Sequence, residues 1–149
     1  MSSFPSFEPV IRHIVVDVLK GKGLAAKDSS MLGLRNASSD PYPVFKFKET
    51  EDRSCKPQNS TLDPVWEPQN FDLGSILESV SAPLEISIFD HNKLFADTFM
   101  GMIAVSGRQL YQLGTGEHIF WFALMQSKDK KHEKQSVSGE ILVRFTVTE

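Results

Sequence analysis

The chain of 149 residues, with 40% hydrophobic and 23% charged residues, has the size and composition of one globular domain. Its formal net charge of -3 argues against a nucleic-acid partner, because such proteins carry strongly basic surfaces. The single cysteine, Cys55, excludes an internal disulfide. From the absence of a signal-like N-terminus or a long apolar run, we expect a cytoplasmic monomer with one domain over residues 1–149, in which 1–9 form a flexible extension.

Short apolar runs with alternating periodicity lie between turn-rich stretches, and this pattern predicts an all-β, antiparallel sandwich of eight strands. The predicted strands are His13–Leu19, Tyr42–Lys48, Ser54–Gln58, Trp66–Leu73, Leu84–Phe89, Phe99–Val105, His118–Leu124 and Gly139–Val147. Helical turns are predicted over Leu73–Val80 and Ser106–Leu113.

Two acidic motifs lie beside predicted strands, over Ser39–Tyr42 and over Phe89–Asn92, the latter followed by Asp97–Gly101. Calcium takes six to eight oxygen ligands from carboxylates, carbonyls and water, and loops supply that mixture readily. The motifs therefore predict a calcium site. The alternative is that these acids form turns through their own backbone, and for Asp63 we prefer that interpretation.

Five motifs occur in the order and spacing of a C2 domain, and on them the chain resembles that family. The motifs are Gly23–Asp28, Ser39–Tyr42, Ser60–Trp66, Leu84–Asp90 and Phe99–Gly101. The resemblance implies a Greek-key β-sandwich whose loops at one end bind calcium and then phospholipid. The position of the chain ends looks like the type II topology, shared by phospholipases C and by HECT ubiquitin ligases with an N-terminal C2 domain.

The resemblance also implies a set of calcium ligands, which this chain matches in part. They are Asp28, Asp40, Asp90, Asn92 and Asp97. Asn92 stands where the family usually has an aspartate, and Thr98 stands where it has its last one, so Asp97 comes one residue early. Each missing carboxylate weakens the attraction for a divalent ion, and we expect one calcium at best.

Apolar residues occur in both acidic loops, where water alone gives little reason for them. Met31, Leu32 and Leu34 lie in the first loop, and Leu94 and Phe95 lie in the third. Inserting such side chains among lipid headgroups contributes about 1.5–3 kcal/mol for each one fully buried, so we expect membrane insertion. The alternative for the first group is a small cluster folded back on the sandwich.

Lysines form two further candidate lipid contacts. If successive strands are antiparallel, the Met125–Ser138 connection lies at the same end as the acidic loops, and its lysines can contact anionic headgroups. These are Lys128, Lys130, Lys131 and Lys134. Lys46 and Lys48 alternate with core-facing Phe45 and Phe47, and with Lys56 they resemble part of the family's phosphoinositide patch. In both cases the alternative is solvated lysines without a partner.

The sequence offers little support for catalysis, because its four histidines are dispersed and it has neither a nucleophile elbow nor a phosphate-binding loop. We therefore expect a binding module and not an enzyme. The function we favour is calcium-dependent binding of anionic phospholipid, phosphatidylserine or phosphoinositide, at the membrane periphery. The alternative is a calcium-independent scaffold that binds a protein partner, as a module of a larger signalling or ubiquitin-ligase protein.

Overall fold

A computed structural model of the chain describes residues 11–26, 39–77, 82–127, 129, 132 and 135–149. These residues form two four-stranded antiparallel sheets with strand orders β4-β1-β8-β7 and β3-β2-β5-β6. The strands are β1 (Arg12–Lys22), β2 (Pro41–Phe47), β3 (Thr50–Asp52), β4 (Phe71–Ile76), β5 (Leu84–Asp90), β6 (Thr98–Val105), β7 (Gly116–Ala123) and β8 (Glu140–Thr148). The predicted eight-stranded sandwich is confirmed, and its first and last strands pair with each other.

The core lies between the two sheets because the strands alternate buried and more exposed residues, as β5 and β8 show most regularly. Phe45 of β2 stacks on Phe71 of β4 with ring centroids 4.8 Å apart, so one aromatic pair joins the two sheets. Both rings are buried. Each contributes roughly 1.5–3 kcal/mol through the apolar surface removed from water.

The strand predicted over Ser54–Gln58 is wrong, since β3 lies earlier and ends at Asp52. The Oδ1 atom of Asp52 accepts hydrogen bonds from both the backbone N–H and the hydroxyl of Ser54, at 2.8 and 2.5 Å. Such a side-chain turn replaces the ladder bonds that would continue the strand.

The strand predicted over Trp66–Leu73 is wrong in its first half, because β4 begins only at Phe71. Gln69 accepts from the backbone N–H of Val18 at 2.6 Å and donates to its carbonyl at 3.0 Å. The backbone N–H groups of Gln69 and Asn70 donate to buried Asp17. Side chains therefore take over the pairing with β1 that a regular strand would make.

The predicted helical turn over Ser106–Leu113 is confirmed as α1 (Gly107–Tyr111). Ser106 and Gln109 form a reciprocal capping box at its start. The other helical turn, over Leu73–Val80, is wrong through Ile76, where β4 ends; residues 78–80 lie outside the described part of the chain.

Four connections meet at one end of the sandwich, as strand parity predicts. His91 donates its backbone N–H to the carbonyl of Asp40 at 3.0 Å, and Ser60 donates its own to Oδ1 of Asp40 at 2.7 Å. The hydroxyl of Ser138 donates to the carbonyl of Gly23 at 3.0 Å. In the described residues, the structure contains no helix with the length and apolar character needed to cross a membrane.

Candidate functional site

Asp40 and Asp90 lie side by side at the end where the connections meet. Asp90 ends β5 opposite Pro41 of β2, and its Oδ1 atom accepts the backbone N–H of Asp40 at 2.8 Å. Asp90 is 1% exposed. The two residues join the first and third acidic loops, and the hydrogen bond from Ser60 to Asp40 adds the connection before β4.

Asp97 belongs to the third loop but directs its carboxylate to other partners. The hydroxyl of Tyr42 donates to its Oδ2 atom. Its Oδ1 atom accepts the backbone N–H of Asn92 at 2.9 Å and lies 3.4 Å from Nδ1 of His91. Asp97 therefore closes the third loop onto β2.

The pKa values of Tyr42 and Asp97 reflect this contact. Burial and the neighbouring carboxylate of Asp97 raise the pKa of Tyr42 to about 12. Partial burial acts to raise the pKa of Asp97, but hydrogen bonds from Asn92, Tyr42 and His91 outweigh it and hold that pKa below its usual value. At neutral pH the hydroxyl is therefore a donor and the carboxylate is ionised.

The described residues supply part of a calcium site. Asp40 and Asp90 adjoin, and the amide of Asn92 donates to the carbonyl of Ala96 and to Oγ1 of Thr98, each at 3.0 Å. No cluster of three or more acidic, histidine or cysteine side chains suited to a metal ion occurs among the residues the structure describes. The predicted ligand Asp28 lies outside them.

The tip of the third loop is apolar and solvent-exposed. Leu94 is 87% and Phe95 is 80% exposed, between the exposed residue Lys93 and the half-buried residue Ala96 or its exposed neighbours in the loop. The predicted first-loop tip, Met31, Leu32 and Leu34, lies outside the described residues.

The lysines of the predicted phosphoinositide patch occupy different surroundings. Lys46 is exposed opposite the buried rings of Phe45 and Phe47, as the alternation predicts. It lines a groove of about 470 Å³ on the outer face of the β3-β2-β5-β6 sheet. Lys56 lines a separate hollow of about 340 Å³, and Nζ of Lys48 lies 5.4 Å from the ring centroid of Phe47. Lys128, Lys130, Lys131 and Lys134 lie outside the described residues.

The groove beside Lys46 carries aromatic residues that the sequence analysis missed. The ring of His132 stacks on Phe99 with centroids 4.7 Å apart, and Phe89 meets both rings edge-on. The guanidinium of Arg53 lies 5.2 Å from the ring centroid of Phe89, and Glu51 is its ion-pair partner at 3.2 Å. Alternation in β5 places Phe89 on the outer face, which is the sequence signal for this wall.

A second apolar surface follows the edge strand β7. Ile119 and Phe120 are each 45% exposed and Trp121 is 43% exposed. The ammonium of Lys20 lies 5.7 Å from the ring centroid of Trp121. Because β7 pairs only with β8 in the described sheet, its outer side presents backbone and apolar side chains together.

Comparisons with known proteins agree with this architecture. Rab11 family-interacting protein 1 of Rattus norvegicus is 28% identical over 89% of this chain and 20% of its own length. Multiple C2 and transmembrane domain-containing protein 1 of the same species is 31% identical over 71% of this chain and 10% of its own length. The chain thus spans a fifth or less of these two relatives.

A solved structure shows the same fold at lower identity. Two calcium-bound C2 domains of Extended-Synaptotagmin 2 align with a TM-score of 0.69 at 20% identity, over 94% of this chain and 47% of that one. A protein-family model described as C2 domain matches residues 12–124. With its two four-stranded sheets and its acidic loops gathered at one end, this chain belongs to the C2 domain family.

Proposed function

We propose that the domain docks on anionic phospholipid membranes with the tip of its third loop inserted among the headgroups. The observation that carries the proposal is the exposure of Leu94 and Phe95, at 87% and 80%. Both lie in the loop that joins Asp90 to Thr98, at the end where the connections meet. A membrane gives these side chains an apolar environment that water does not, at about 1.5–3 kcal/mol for each one fully buried.

Calcium is proposed to assist this docking. Asp40 and Asp90 adjoin through a hydrogen bond, and with the amide oxygen of Asn92 they are the described residues that would hold the ion; Asp28 is the further ligand that the sequence offers. Bound calcium would supply positive charge between these carboxylates and lipid phosphates. The similarity to a calcium-bound structure of Extended-Synaptotagmin 2 domains supports the assignment.

The proposed setting is the cytoplasmic surface of a membrane, with the domain bound peripherally as a monomer. Phosphatidylserine and phosphoinositides carry the negative charge that the lysines and the bound ion would meet. The similarity to a protein whose name includes both C2 and transmembrane domains supports a membrane context. The domain acts in this proposal by binding and not by catalysis.

Sedimentation with vesicles tests the proposal. The protein should sediment with phosphatidylserine-containing phosphatidylcholine vesicles in the presence of calcium, and less with a chelator. Vesicles of phosphatidylcholine alone are the control for charge. Equal, negligible sedimentation with all three samples would overturn membrane docking, whereas equal strong binding with and without calcium would overturn only the role of calcium.

A second function, protein binding without calcium, is favoured by the β7 surface. Ile119, Phe120 and Trp121 are each more than two-fifths exposed on an edge strand, and such edges accept an added strand from a partner. The engagement of Asp97 by Tyr42 also leaves one predicted calcium ligand in a structural role. Under this alternative, Trp121→Ser would impair partner binding and leave vesicle binding unchanged.

A further inference from the structure

The carboxylate of Asp97 is held from two sides within the domain. Tyr42, on β2, donates its hydroxyl to Oδ2, while Asn92 and His91 meet Oδ1. Tyr42 is only 6% exposed, so its hydroxyl cannot turn to water without displacing its ring. The same hydroxyl interacts with Arg53, which forms a short polar chain from the third loop to the groove.

Strand alternation puts Asp97 and Asp90 on opposite faces. Tyr42 is paired with Phe89, and paired residues share a face. Asp90 follows Phe89 and belongs to the other face, where it pairs with Thr98. Asp97 precedes Thr98 and bonds to Tyr42. The face that carries Asp90 therefore receives a threonine from the third loop, and the carboxylate goes to the opposite side.

Thr98 already contacts the loop interior on the Asp90 side. Its Oγ1 atom accepts a 3.0 Å hydrogen bond from the amide of Asn92, and its Cα pairs with that of Asp90. Cross-strand partners have Cβ atoms about 4.5–5.5 Å apart. A carboxylate at position 98 would consequently lie beside Asp90, whereas Asp97 reaches that side only if its bond to Tyr42 breaks.

We infer that Tyr42 is a latch that holds Asp97 out of the cation-binding face, so that the loops bind calcium more weakly than their carboxylates would allow. The inference rests on the calcium part of the proposed function and adds a device that sets its strength. The latch uses residues of this chain alone: the hydroxyl of Tyr42, the one-residue offset of Asp97, and the threonine in place of a carboxylate.

Calorimetric titration with calcium chloride, without lipid, tests the latch in four variants and two double variants. Asp97→Asn should change the dissociation constant less than threefold, while Asp90→Asn should weaken binding at least tenfold. Tyr42→Phe should tighten binding severalfold, because Asp97 is released to reach the ion. The gain should disappear in Tyr42→Phe/Asp97→Asn. Thr98→Asp should tighten binding about tenfold, and Tyr42→Phe should then add little.

Thermal unfolding in chelator checks that each variant is folded and measures the latch without the ion. Tyr42→Phe and Asp97→Asn should each lower the melting temperature, and the double variant should lose less than the sum, because both remove the same hydrogen bond. Additive losses would overturn the latch.

The calcium titration can overturn the inference in three ways. Asp97→Asn that weakens binding as much as Asp90→Asn would make Asp97 a ligand, and Tyr42→Phe without a gain would show that the hydroxyl does not restrain it. If no variant binds calcium, including Thr98→Asp, the loops are not a cation site and the latch has no such role. Membrane docking would still be decided separately, by vesicle sedimentation in chelator.

Discussion

The backbone N–H of Asp40 donates a 2.8 Å hydrogen bond to the buried carboxylate of Asp90. This single contact joins the first and third acidic loops, at the end of the sandwich where the apolar tip of Leu94 and Phe95 is exposed. Asp90 therefore has a structural role before any ion binds. A test of calcium binding at Asp90 must separate the loss of that hydrogen bond from the loss of a ligand.

Calcium should stabilise the native domain, because the unfolded chain holds the same aspartates too far apart to chelate. At a hundred times the dissociation constant the gain is about 2.7 kcal/mol, which corresponds to a rise of several degrees in melting temperature. Asp90→Asn should melt lower in chelator and show no rise with calcium. Each protein is compared with its own chelator baseline, and an unchanged melting temperature of the unmutated protein at millimolar calcium would contradict the metal assignment.

Gly101→Ala should destabilise the fold severely. Gly101 has φ 133°, and a Cβ there would lie 2.9 Å from side-chain atoms of Leu124 and Val137, so both backbone strain and overlap oppose alanine. We expect a loss of about 2–4 kcal/mol in urea unfolding. Gly114→Ala, where a Cβ would meet no atom within 4 Å, is the matched control and should change stability by less than about 0.5 kcal/mol. Equal effects of the two substitutions would contradict the packing described for β6.

The contact between Tyr42 and Asp97 predicts a pH dependence at the alkaline side. The pKa of Tyr42 is raised from 10.0 to about 12 in the native state, so its contribution to stability is full below pH 10 and is lost as the pH rises towards 12. The unfolding free energy of the unmutated protein should therefore fall more steeply between pH 10 and 12 than that of Tyr42→Phe. Parallel pH profiles would show that the phenol does not ionise with difficulty in the native state.

The same contact acts with the opposite sign in acid. Because the native pKa of Asp97 is lowered, its contribution is present above the ordinary carboxyl pKa and is lost as the pH falls through the native value. Asp97→Asn should accordingly flatten the acid limb of the same profile while leaving the stability near neutral pH lower. An acid limb of unchanged slope in this variant would contradict the lowered pKa.

The lysines of the Met125–Ser138 connection should act through charge. Replacing Lys128, Lys130, Lys131 and Lys134 by glutamine should weaken binding to phosphatidylserine vesicles mainly at low ionic strength, since exposed charges are screened over about 8 Å at physiological salt. Sedimentation at two salt concentrations measures this. A loss of equal size at both would indicate that the lysines do not act as exposed headgroup contacts.

The fold could be predicted because strand alternation and the meeting of the acidic loops depend on local pattern and on antiparallel order. The start of β4 could not, because Gln69 and Asp17 replace ladder bonds with side-chain bonds whose partners are distant in sequence. The bond from Tyr42 to Asp97 depends on the register between β2 and β5. His132 reaches Phe99 from a charged connection, and no periodicity of that segment indicates the contact.

The most direct test of membrane docking is the effect of Leu94→Ser/Phe95→Ser on sedimentation with phosphatidylserine vesicles at low and physiological salt. Serine removes the apolar tip and leaves Asp40, Asp90 and the loop hydrogen bonds in place, so binding should weaken by a similar amount at both salt concentrations while calcium stabilisation persists. Ile119→Ser, which removes a half-exposed apolar side chain from β7, is the control and should bind vesicles like the unmutated protein. If the double variant also binds like the unmutated protein, the tip does not enter the bilayer and the docking geometry proposed for this domain is wrong.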